Sequence, residues 1–562
     1  MGATNTEERL LASIFRNGPV APLFCHCKDV PNGGVLLGLP GLLCMGLLRH
    51  TGKYFQLPQG YYGLEGIFLL LAFMALARFK TIESLRYCSP GEWGKLLGLD
   101  RVPEARTLRR KVRLLTQDDQ APQWGCELSR DWMGMFPEST GTLYIDGHVR
   151  VYNGSQTELP RHHVARQRLC LRATTDYWVN AMDGQPFFMV NKPVDPGLLI
   201  VLEKEIVPRL EQEVPFQPNL FDLKKERHVP RFTLVFDREG YSPGFMCRMW
   251  EKRIACQTYL KYPDEDWSES EFHEQKVSLV SGHVVDMNLA ERGTFLGNKI
   301  WVREIRKLNK GGHQTAIIST DYPRELTTAA AAMFARWSQE NFFKYMRENY
   351  SLDRLVDYSI EDIPDTTTVV CPLYRAADSD VKKQAALLAR KRCECNSVVL
   401  CDDIEPAKVA AYEDKKQSLL EEIKEMEQVP VLDDLKACRR DSPKHVMLSE
   451  LPPEDQFQKL GMKSKYFIDT IKLIAYQTET AMVNIVRKTM QHQNEARRLL
   501  RSLYETSADI LPDYEHNKLT VRLHQPANRC NAVTVDNLCR ELNTTATKFP
   551  GTNLRLVYEM VS

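Results

Sequence analysis

Short apolar runs separated by helical patterns predict a mixed α/β region in the middle of the chain. The expected elements, in chain order, are strands at 142–146, 168–179 and 186–190, a helix at about 196–212, a strand at 232–236, a helix from about 242 to 250 and a strand at 254–260.

A long helical pattern begins after Pro323 and runs to Tyr350 without Gly or Pro, and its alanines favour one continuous helix. One face of this helix is charged and carries Arg336, Glu340, Lys344 and Arg347. Such spacing is typical of a solvated ladder of ion pairs. It is equally the spacing of an acidic metal ligand, Glu340, flanked by cations that hold phosphate. The pattern alone leaves both interpretations open.

Two further acids follow apolar runs that we expect to end as strands. Asp146 comes after the run Thr142–Ile145 and precedes Gly147, and Asp237 comes after the run 232–236 and shortly precedes a glycine. An acid in this position can cap a turn, so one example would carry little weight. Two such acids together with a helical glutamate indicate a carboxylate site. His148 shares a strand face with Asp146, where it could transfer a proton or hydrogen-bond a carboxylate.

With these acids the sequence resembles the DDE-type transposases of bacterial insertion sequences, whose catalytic domain is RNase H-like. Asp146, Asp237 and Glu340 match the three family carboxylates. One branch of the family carries Tyr, Arg, Glu and Lys around the last acid at the spacing of Met333, Arg336, Glu340 and Arg347. The methionine lacks the hydroxyl that would touch DNA, while Arg347 keeps the positive charge. The resemblance covers about residues 140–350. The predicted order of strands and helices is that of an RNase H-like sheet, which implies that the first and fourth strands are neighbours and that acids at their ends could meet at one point.

The resemblance implies a metal-dependent DNA endonuclease and strand transferase. Asp146 would bridge two Mg²⁺ ions, with Mn²⁺ as a substitute, while Asp237 and Glu340 would each hold one ion. Arg336, Lys344 and Arg347 would bind DNA. The expected partners are terminal inverted repeats and target DNA, bound by a homodimer at the DNA ends and without a membrane, in the bacterial cytoplasm with the nucleoid. The alternatives are a regulatory or domesticated DNA-binding derivative and a recombination or repair nuclease.

The N-terminal segment predicts a helical domain with a helix-turn-helix. A helix beginning at Ser89-Pro90 is followed by the turn Gly98-Leu99-Asp100 and a second helix from Pro103 to Arg113. The second helix has an apolar face, and its cationic face carries Arg106, Arg109, Arg110 and Arg113. A helix of this kind can hold phosphates and read bases. An ordinary amphipathic surface helix would show the same pattern.

Composition changes this picture little. The 562 residues are 43% hydrophobic, so three to four domains can each bury a core. A net charge of +1 requires any DNA site to be built from local basic clusters. Fifteen cysteines in irregular spacing indicate free thiols in a reducing compartment. We expect a helical domain at 1–120, an RNase H-like domain at 138–350 with a β-rich insertion at 263–325, and a mainly helical region with short terminal strands at 351–562.

Overall fold

The computed structural model describes residues 18–561 and four earlier positions, with gaps. The earlier positions are Glu7, Leu10, Leu11 and Ile14. The gaps are 155–158, 165–166, 168, 219–224, 262, 264, 280–281, 298, 335–336, 355, 357–358, 365, 398–405, 429–430, 453–455, 491 and 525–530. The chain forms two compact units. The larger unit contains Met1–Val151, His162–Ser359 and Leu460–Ser562, and the smaller contains Tyr152–Arg161 and Ile360–Lys459.

The described strands and helices alternate along most of the chain, which makes the fold mixed α/β. The strands are β1 (Cys27–Val30), β2 (Thr142–Val151), β3 (Arg161–Val164), β4 (Leu169–Ala181), β5 (Pro186–Lys192), β6 (Phe232–Phe236), β7 (Ile254–Tyr259), β8 (His273–Ser278), β9 (Val284–Leu296), β10 (Ile300–Leu308), β11 (Gln314–Ser319), β12 (Ile360–Glu361), β13 (Thr368–Val370), β14 (His445–Met447), β15 (Lys459–Leu460), β16 (Ala508–Asp513), β17 (Lys518–Leu523) and β18 (Arg555–Met560). The α-helices are α1 (Leu39–Cys44), α2 (Thr51–Tyr54), α3 (Leu64–Leu76), α4 (Pro90–Lys95), α5 (Ala105–Thr116), α6 (Ala121–Met135), α7 (Leu198–Val201), α8 (Val207–Glu213), α9 (Pro243–Glu251), α10 (Leu326–Phe334), α11 (Trp337–Tyr350), α12 (Pro372–Ser397), α13 (Pro406–Gln428), α14 (Val431–Asp441), α15 (Lys463–Arg487), α16 (Ala496–Glu505) and α17 (Ala532–Thr544).

A ten-stranded sheet forms the centre of the larger unit. Its order is β3-β4-β2-β6-β7-β11-β10-β9-β8, and β5 also pairs with β4. β2 and β6 are parallel neighbours, and β6 and β7 are parallel as well, whereas β4 runs antiparallel to β2. The prediction that the first and fourth strands are neighbours is therefore confirmed. The strands expected in the 263–325 segment also form, and they extend the same sheet beyond β7.

Helices cover both faces of this sheet. On one face, Tyr144, Val235 and Ile317 pack against Ala329 and Met333 of α10. On the opposite face, Phe236 packs against Phe245 of α9, with ring centroids 6.0 Å apart. All five residues of β6 are buried, as expected for a strand covered on both sides.

Residues 1–120 share the larger unit and its core with the catalytic candidate region and with the chain's last hundred residues. Phe68 of α3, Trp124 of α6 and Phe467 of α15 pack edge-on or tilted, with ring centroids 5.3–5.9 Å apart. The apolar run 67–77 lies in α3, where Ile67 to Leu76 are all buried. No helix in the described part of the chain is long and apolar enough to cross a bilayer.

A second sheet joins the two ends of the larger unit in the order β1-β16-β17-β18. The two strands expected near the C-terminus pair in parallel, with Leu519 opposite Leu556. Gly34 lies directly against α16, since a Cβ atom there would fall 1.8 Å from the Leu503 carbonyl oxygen. A glycine is needed for this close approach.

The smaller unit consists mainly of helices. Its described elements include α12, α13 and α14 and the antiparallel pair β13 and β14, in which Val369 lies opposite Val446. Cys395, Leu419 and Ile423 form a small apolar cluster between α12 and α13. In the described part of the chain after residue 350, helices predominate, and the short strands β16, β17 and β18 lie near the C-terminus.

Candidate active site at the adjoining ends of β2 and β6

The register of β2 and β6 brings Asp146 and Asp237 side by side. Ile145 lies opposite Phe236 in this parallel pair, so the two acids occupy the next register position and project from the same face of the sheet. Each aspartate Oδ1 accepts a hydrogen bond from the following backbone N–H, that of Gly147 at 2.9 Å and that of Arg238 at 2.6 Å. Both side chains are half-buried. Two carboxylates are thus held at one edge of the sheet.

The expectation that the strand stops at Asp146 is wrong. Pairing with β6 ends at Ile145, but β2 continues to Val151 because it stays paired with β4. The ion pair between Arg150 on β2 and Asp176 on β4 stabilises this continued pairing: the guanidinium lies 2.6 Å from the carboxylate, and both side chains are fully buried. Asp146 therefore lies where β2 ends its pairing with β6 and continues its pairing with β4.

Contacts on both sides of Asp146 indicate where Glu340 lies. Tyr144 and His148 flank Asp146 on the same face of β2. The hydroxyl of Tyr144 donates to the carbonyl of Ala332 in α10 at 2.5 Å, and the ring of His148 stacks on Phe343 of α11 at 5.2 Å. Glu340 lies between Ala332 and Phe343 along the chain. The start of α11 therefore crosses the sheet face that carries Asp146 and Asp237.

The charged face of α11 is open to solvent at its start, while its apolar face is buried. Glu340 and Lys344 are exposed and Arg347 is half-buried, whereas Phe342 and Phe343 are buried. Two helices are described, α10 to Phe334 and α11 from Trp337. Arg336, and with it the predicted continuity of the two helices, lies outside the described residues.

His148 hydrogen-bonds a carboxylate, but that of Asp353 and not that of Asp146. Its Nε2 lies 2.6 Å from Asp353 Oδ1, and the histidine side chain is 4% exposed. Burial alone would raise the pKa of Asp353, but the bond to His148 and the charge of Arg347 outweigh it and lower that pKa. The contact ties the chain after α11 to β2.

Two acids beside the site were not singled out from the sequence. Glu239 follows Asp237 in a short 3-10 helix, and Asp195 follows β5. Glu239 is exposed at the surface, but protein atoms around its carboxyl still reduce its hydration, and this effect, followed by repulsion from Asp195, Asp146 and Asp237, raises the pKa of Glu239. The only sequence signal for Glu239 was its place within Asp237-Arg-Glu-Gly240. No sequence signal pointed to Asp195, because it lies in the loop after β5 and reaches the site only through the folding of that strand into the sheet.

Asp195 keeps its charge through hydrogen bonds. Burial opposes its ionisation, but bonds from His162, Tyr177 and the Gly197 N–H lower its pKa. The Tyr177 hydroxyl donates to Asp195 at 2.7 Å, and the tyrosine ring lies against Gly147, where a Cβ atom would be 3.2 Å away. Negative charge is therefore concentrated around Asp146 and Asp237.

The donor set suits a hard divalent cation. Carboxylate oxygens are the ligands that Mg²⁺ and Mn²⁺ prefer, and the repulsion that raises the pKa of Glu239 would be relieved by a cation. Among the described residues, the three side chains whose ligand atoms all lie within 4.8 Å of one another are Asp29, Asp509 and His524. Asp146, Asp237 and Glu340 do not form such a group: the two aspartates follow neighbouring strands, and Glu340 lies on α11.

The far end of α11 is anchored by a buried ionic cluster. Glu479 of α15 has no exposed side-chain surface, and it receives Arg78 at 2.7 Å and Arg497 at 3.7 Å. The hydroxyls of Tyr345 and Tyr350 on α11 also donate to this carboxylate, the latter at 2.5 Å. We call these five residues the Glu479 cluster. It fixes the direction of α11 and thereby the position of Glu340.

The predicted recognition helix is α5, and its two faces are as expected. Leu108, Val112 and Leu115 are buried, and Arg106, Arg110 and Arg113 are exposed. Arg109 differs, because its Nε lies 3.0 Å from Glu83 Oε1 and the pair is only partly exposed. Three arginines of one helix face are thus exposed to solvent.

Comparison with known proteins connects this geometry to a family. The family model described as "Transposase protein" matches residues 1–562, which is the whole chain. No curated protein matches the chain. A match over the full length covers the sheet with Asp146 and Asp237, the helix with Glu340 and both terminal regions. The chain is therefore a member of the Transposase protein family.

Proposed function

We propose that the chain is a DDE-type transposase, which cleaves DNA at the ends of an insertion sequence and transfers the freed 3′-OH ends into target DNA. The observation that carries this proposal is the register that sets Asp146 beside Asp237, on the sheet face crossed by the start of the Glu340 helix. The order β5-β4-β2-β6-β7, with β2 antiparallel to β4 and parallel to β6, is also that of an RNase H-like sheet.

Asp146, Asp237 and Glu340 are the residues that would hold Mg²⁺ or Mn²⁺. Such ions, when bound, would activate a water, stabilise the leaving 3′ oxygen and neutralise charge on the phosphate. The resemblance assigns Asp146 to both ions, Asp237 to one and Glu340 to the other; Asp237 follows the strand next to that of Asp146, and Glu340 is on α11. The Glu479 cluster and Phe343 hold that helix over the sheet.

The cations of the larger unit would position DNA. Lys344 lies one turn after Glu340 on the exposed face of α11, where it can hold a phosphate next to the acids. Arg106, Arg110 and Arg113 of α5 would hold or read the terminal repeat. Arg336 is assigned the same role on its sequence position. A homodimer would pair the two ends of the element.

The decisive experiment compares cleavage and strand transfer by acid variants of the full chain. Labelled duplex carrying a terminal repeat is incubated with Mg²⁺ or Mn²⁺ and supercoiled target DNA. We expect Asp146→Asn, Asp237→Asn and Glu340→Gln each to lower cleavage by about 10³-fold or more while still binding the repeat, because the amide keeps the shape but not the charge. Glu348→Gln, an exposed acid two turns along the same helix, is the matched control and should cleave normally.

Each other outcome has a definite meaning. Cleavage retained by one acid variant would remove that residue from the site. Binding without cleavage by the natural chain would identify a DNA-binding derivative. Cleavage without joining to the target would identify a nuclease of the same site chemistry.

A further inference from the structure

A cavity of about 490 Å³ lies in the larger unit between α3, α5 and α15. Its floor is apolar and includes Leu71, Met74 and Ala75 of α3 together with Ile468 and Ile471 of α15. This volume is in the range of sites that enclose small organic ligands. The acids of the proposed active site take no part in its lining.

The rim of the cavity is strongly positive. Five of the lining residues are cations and one, Glu83, is an acid; the cations are Lys80, Arg109, Arg113, Arg354 and Lys472. Lys80, Arg113 and Arg354 are exposed to solvent, and Arg109 forms an ion pair with Glu83. Lys472 is buried and donates to the Ser351 carbonyl at 3.2 Å. The lining therefore favours an anion.

The protonation of Lys472 would be coupled to the binding of an anion in this cavity. Burial lowers the pKa of Lys472. The groups facing it are Asp469 and Asp353, which raise the pKa, and Arg150, which lowers it. A phosphate near the cavity would favour the charged ammonium, so anion binding and protonation of Lys472 would support each other.

The cavity continues the cationic face of α5. Arg109 and Arg113 line it, while Arg106 and Arg110 lie exposed on the same helix. DNA held along α5 would therefore pass the mouth of the cavity. An apolar floor beside cations suits an aromatic base with its phosphates, the combination that proteins use for unstacked bases.

We propose that this cavity receives one unstacked nucleotide of the DNA bound along α5, with its base over Ala75 and Ile471 and its flanking phosphates on Arg113 and Arg354. This inference rests on the proposed function only in assigning α5 to DNA. It assigns a substrate feature, an extrahelical nucleotide, to residues that lie outside the acid site.

The test compares the affinity of the full chain for a perfect duplex and for the same duplex with a one-nucleotide bulge. Fluorescence anisotropy in EDTA removes any dependence on metal-dependent cleavage. We expect the bulged duplex to bind about tenfold or more tightly, because its nucleotide is already unstacked. Ala75→Met, which fills the floor without changing charge, should abolish this preference. Arg354→Ala, an exposed change on the rim, should reduce it without disturbing the core.

A control and two competitors make the outcome decisive. Arg110→Ala, on the same helix but outside the lining, should weaken both duplexes alike and keep the preference for the bulge. Free dAMP at millimolar concentration should compete better for the bulged duplex than for the perfect one. If dodecanoate competes and dAMP does not, the cavity takes a hydrocarbon anion and the proposal is wrong.

The remaining results overturn the proposal in distinguishable ways. Equal affinity for both duplexes in the natural chain refutes the nucleotide site, and the proposed function stands if cleavage is intact. A preference unchanged in both Ala75→Met and Arg354→Ala places the unstacked nucleotide elsewhere. Absence of binding to any DNA would refute both the cavity proposal and the proposed function.

Discussion

The two ends of α11 adjoin clusters of charged side chains that are built in opposite ways. At its start, Glu340 is exposed, and the neighbouring charges that raise the pKa of Glu239 are all carboxylates. At its end, the carboxylate of Glu479 is fully buried and meets two guanidinium groups and two tyrosine hydroxyls. A buried charge must be compensated by the protein itself, whereas a site open to solvent can leave compensation to a ligand.

This difference separates charges that stabilise the fold from charges that are available for chemistry. In the Glu479 cluster the guanidinium of Arg78 also lies 4.2 Å from the ring centre of Tyr350, and that of Arg497 lies 4.6 Å from that of Tyr345. The cluster thus uses its charges to join α11 to α15 and α16. The acids at β2 and β6 accept hydrogen bonds from the adjacent backbone N–H groups, and both side chains are half-buried at the ends of their paired segments.

The largest difference should appear in stability. We expect Glu479→Gln to lower the free energy of unfolding by about 3–5 kcal/mol, because it removes a fully buried charge and leaves the half-buried Arg78 and Arg497 without their counter-charge. Glu505→Gln is the control: this acid lies 3.7 Å from Arg501 on an exposed helix face, and its loss should cost about 0.5 kcal/mol or less. Urea unfolding measures both. A loss below about 1 kcal/mol for Glu479→Gln would show that the cluster is not compensated as described.

The acids at the ends of β2 and β6 should affect the free energy of unfolding in the opposite sense. Asp237→Asn should leave the free energy of unfolding unchanged or slightly higher, because it removes one of several like charges. If the acids bind Mg²⁺, saturating the natural chain should stabilise it by about 1–3 kcal/mol, and the variant should lose most of that gain. Thermal unfolding with and without Mg²⁺ measures this stabilisation, and KCl at the same ionic strength, free of divalent cations, is the control. Equal stabilisation of both proteins would contradict a metal site at Asp237.

Sequence patterns were sufficient for the part of the site that depends on local order. Strand and helix periods predicted β2, β6 and α11, and the resemblance to an RNase H-like order of elements implied that β2 and β6 are neighbours, as they are. From these, the proximity of Asp146 and Asp237 follows without any knowledge of packing. The extension of β2 to Val151 was missed because it depends on a buried pair with Asp176, which lies on another strand.

The buried cluster could not be predicted in this way. The pattern of α15 predicts a strongly charged helix, yet Lys465, Asp469, Lys472 and Glu479 are all buried. Their partners come from distant parts of the chain, as the pair of Arg78 with Glu479 illustrates. A charge pattern along one helix reports only which residues are charged. Which of them are compensated depends on tertiary contacts that the pattern does not contain.

Arg347 allows the phosphate-binding role of α11 to be tested apart from its anchoring. Its charge lowers the pKa of Asp353, and it lies on the face that carries Glu340 and Lys344. If it also holds a DNA phosphate, Arg347→Ala should reduce the slope of log affinity against log salt by about 0.9. Lys344→Ala should do the same, and Glu348→Gln should leave the slope unchanged. A slope unaffected in folded Arg347→Ala would leave Arg347 as a partner of Asp353 alone.

The smallest expected effect is the pH dependence contributed by Glu239. Because its pKa is raised in the folded chain, the folded form holds the proton more tightly than the unfolded form does. The carboxyl therefore stabilises the fold relatively more below the pKa of the unfolded state. This contribution is lost as the pH rises from that value through the raised pKa. Glu239→Gln should remove this fall, so the variant should gain stability relative to the natural chain as the pH increases across this window and then stay level.

Urea unfolding at several pH values between about 4 and 8 measures this gain, with the exposed acid Glu251 replaced by Gln as the control. The gain should shrink when Mg²⁺ is present, because a cation beside Asp146 and Asp237 would offset the repulsion that raises the pKa of Glu239. Parallel stability curves for Glu239→Gln and the natural chain would show that the carboxylates at β2 and β6 repel one another too weakly to need a cation. The contrast between the two ends of α11 would then rest on burial alone.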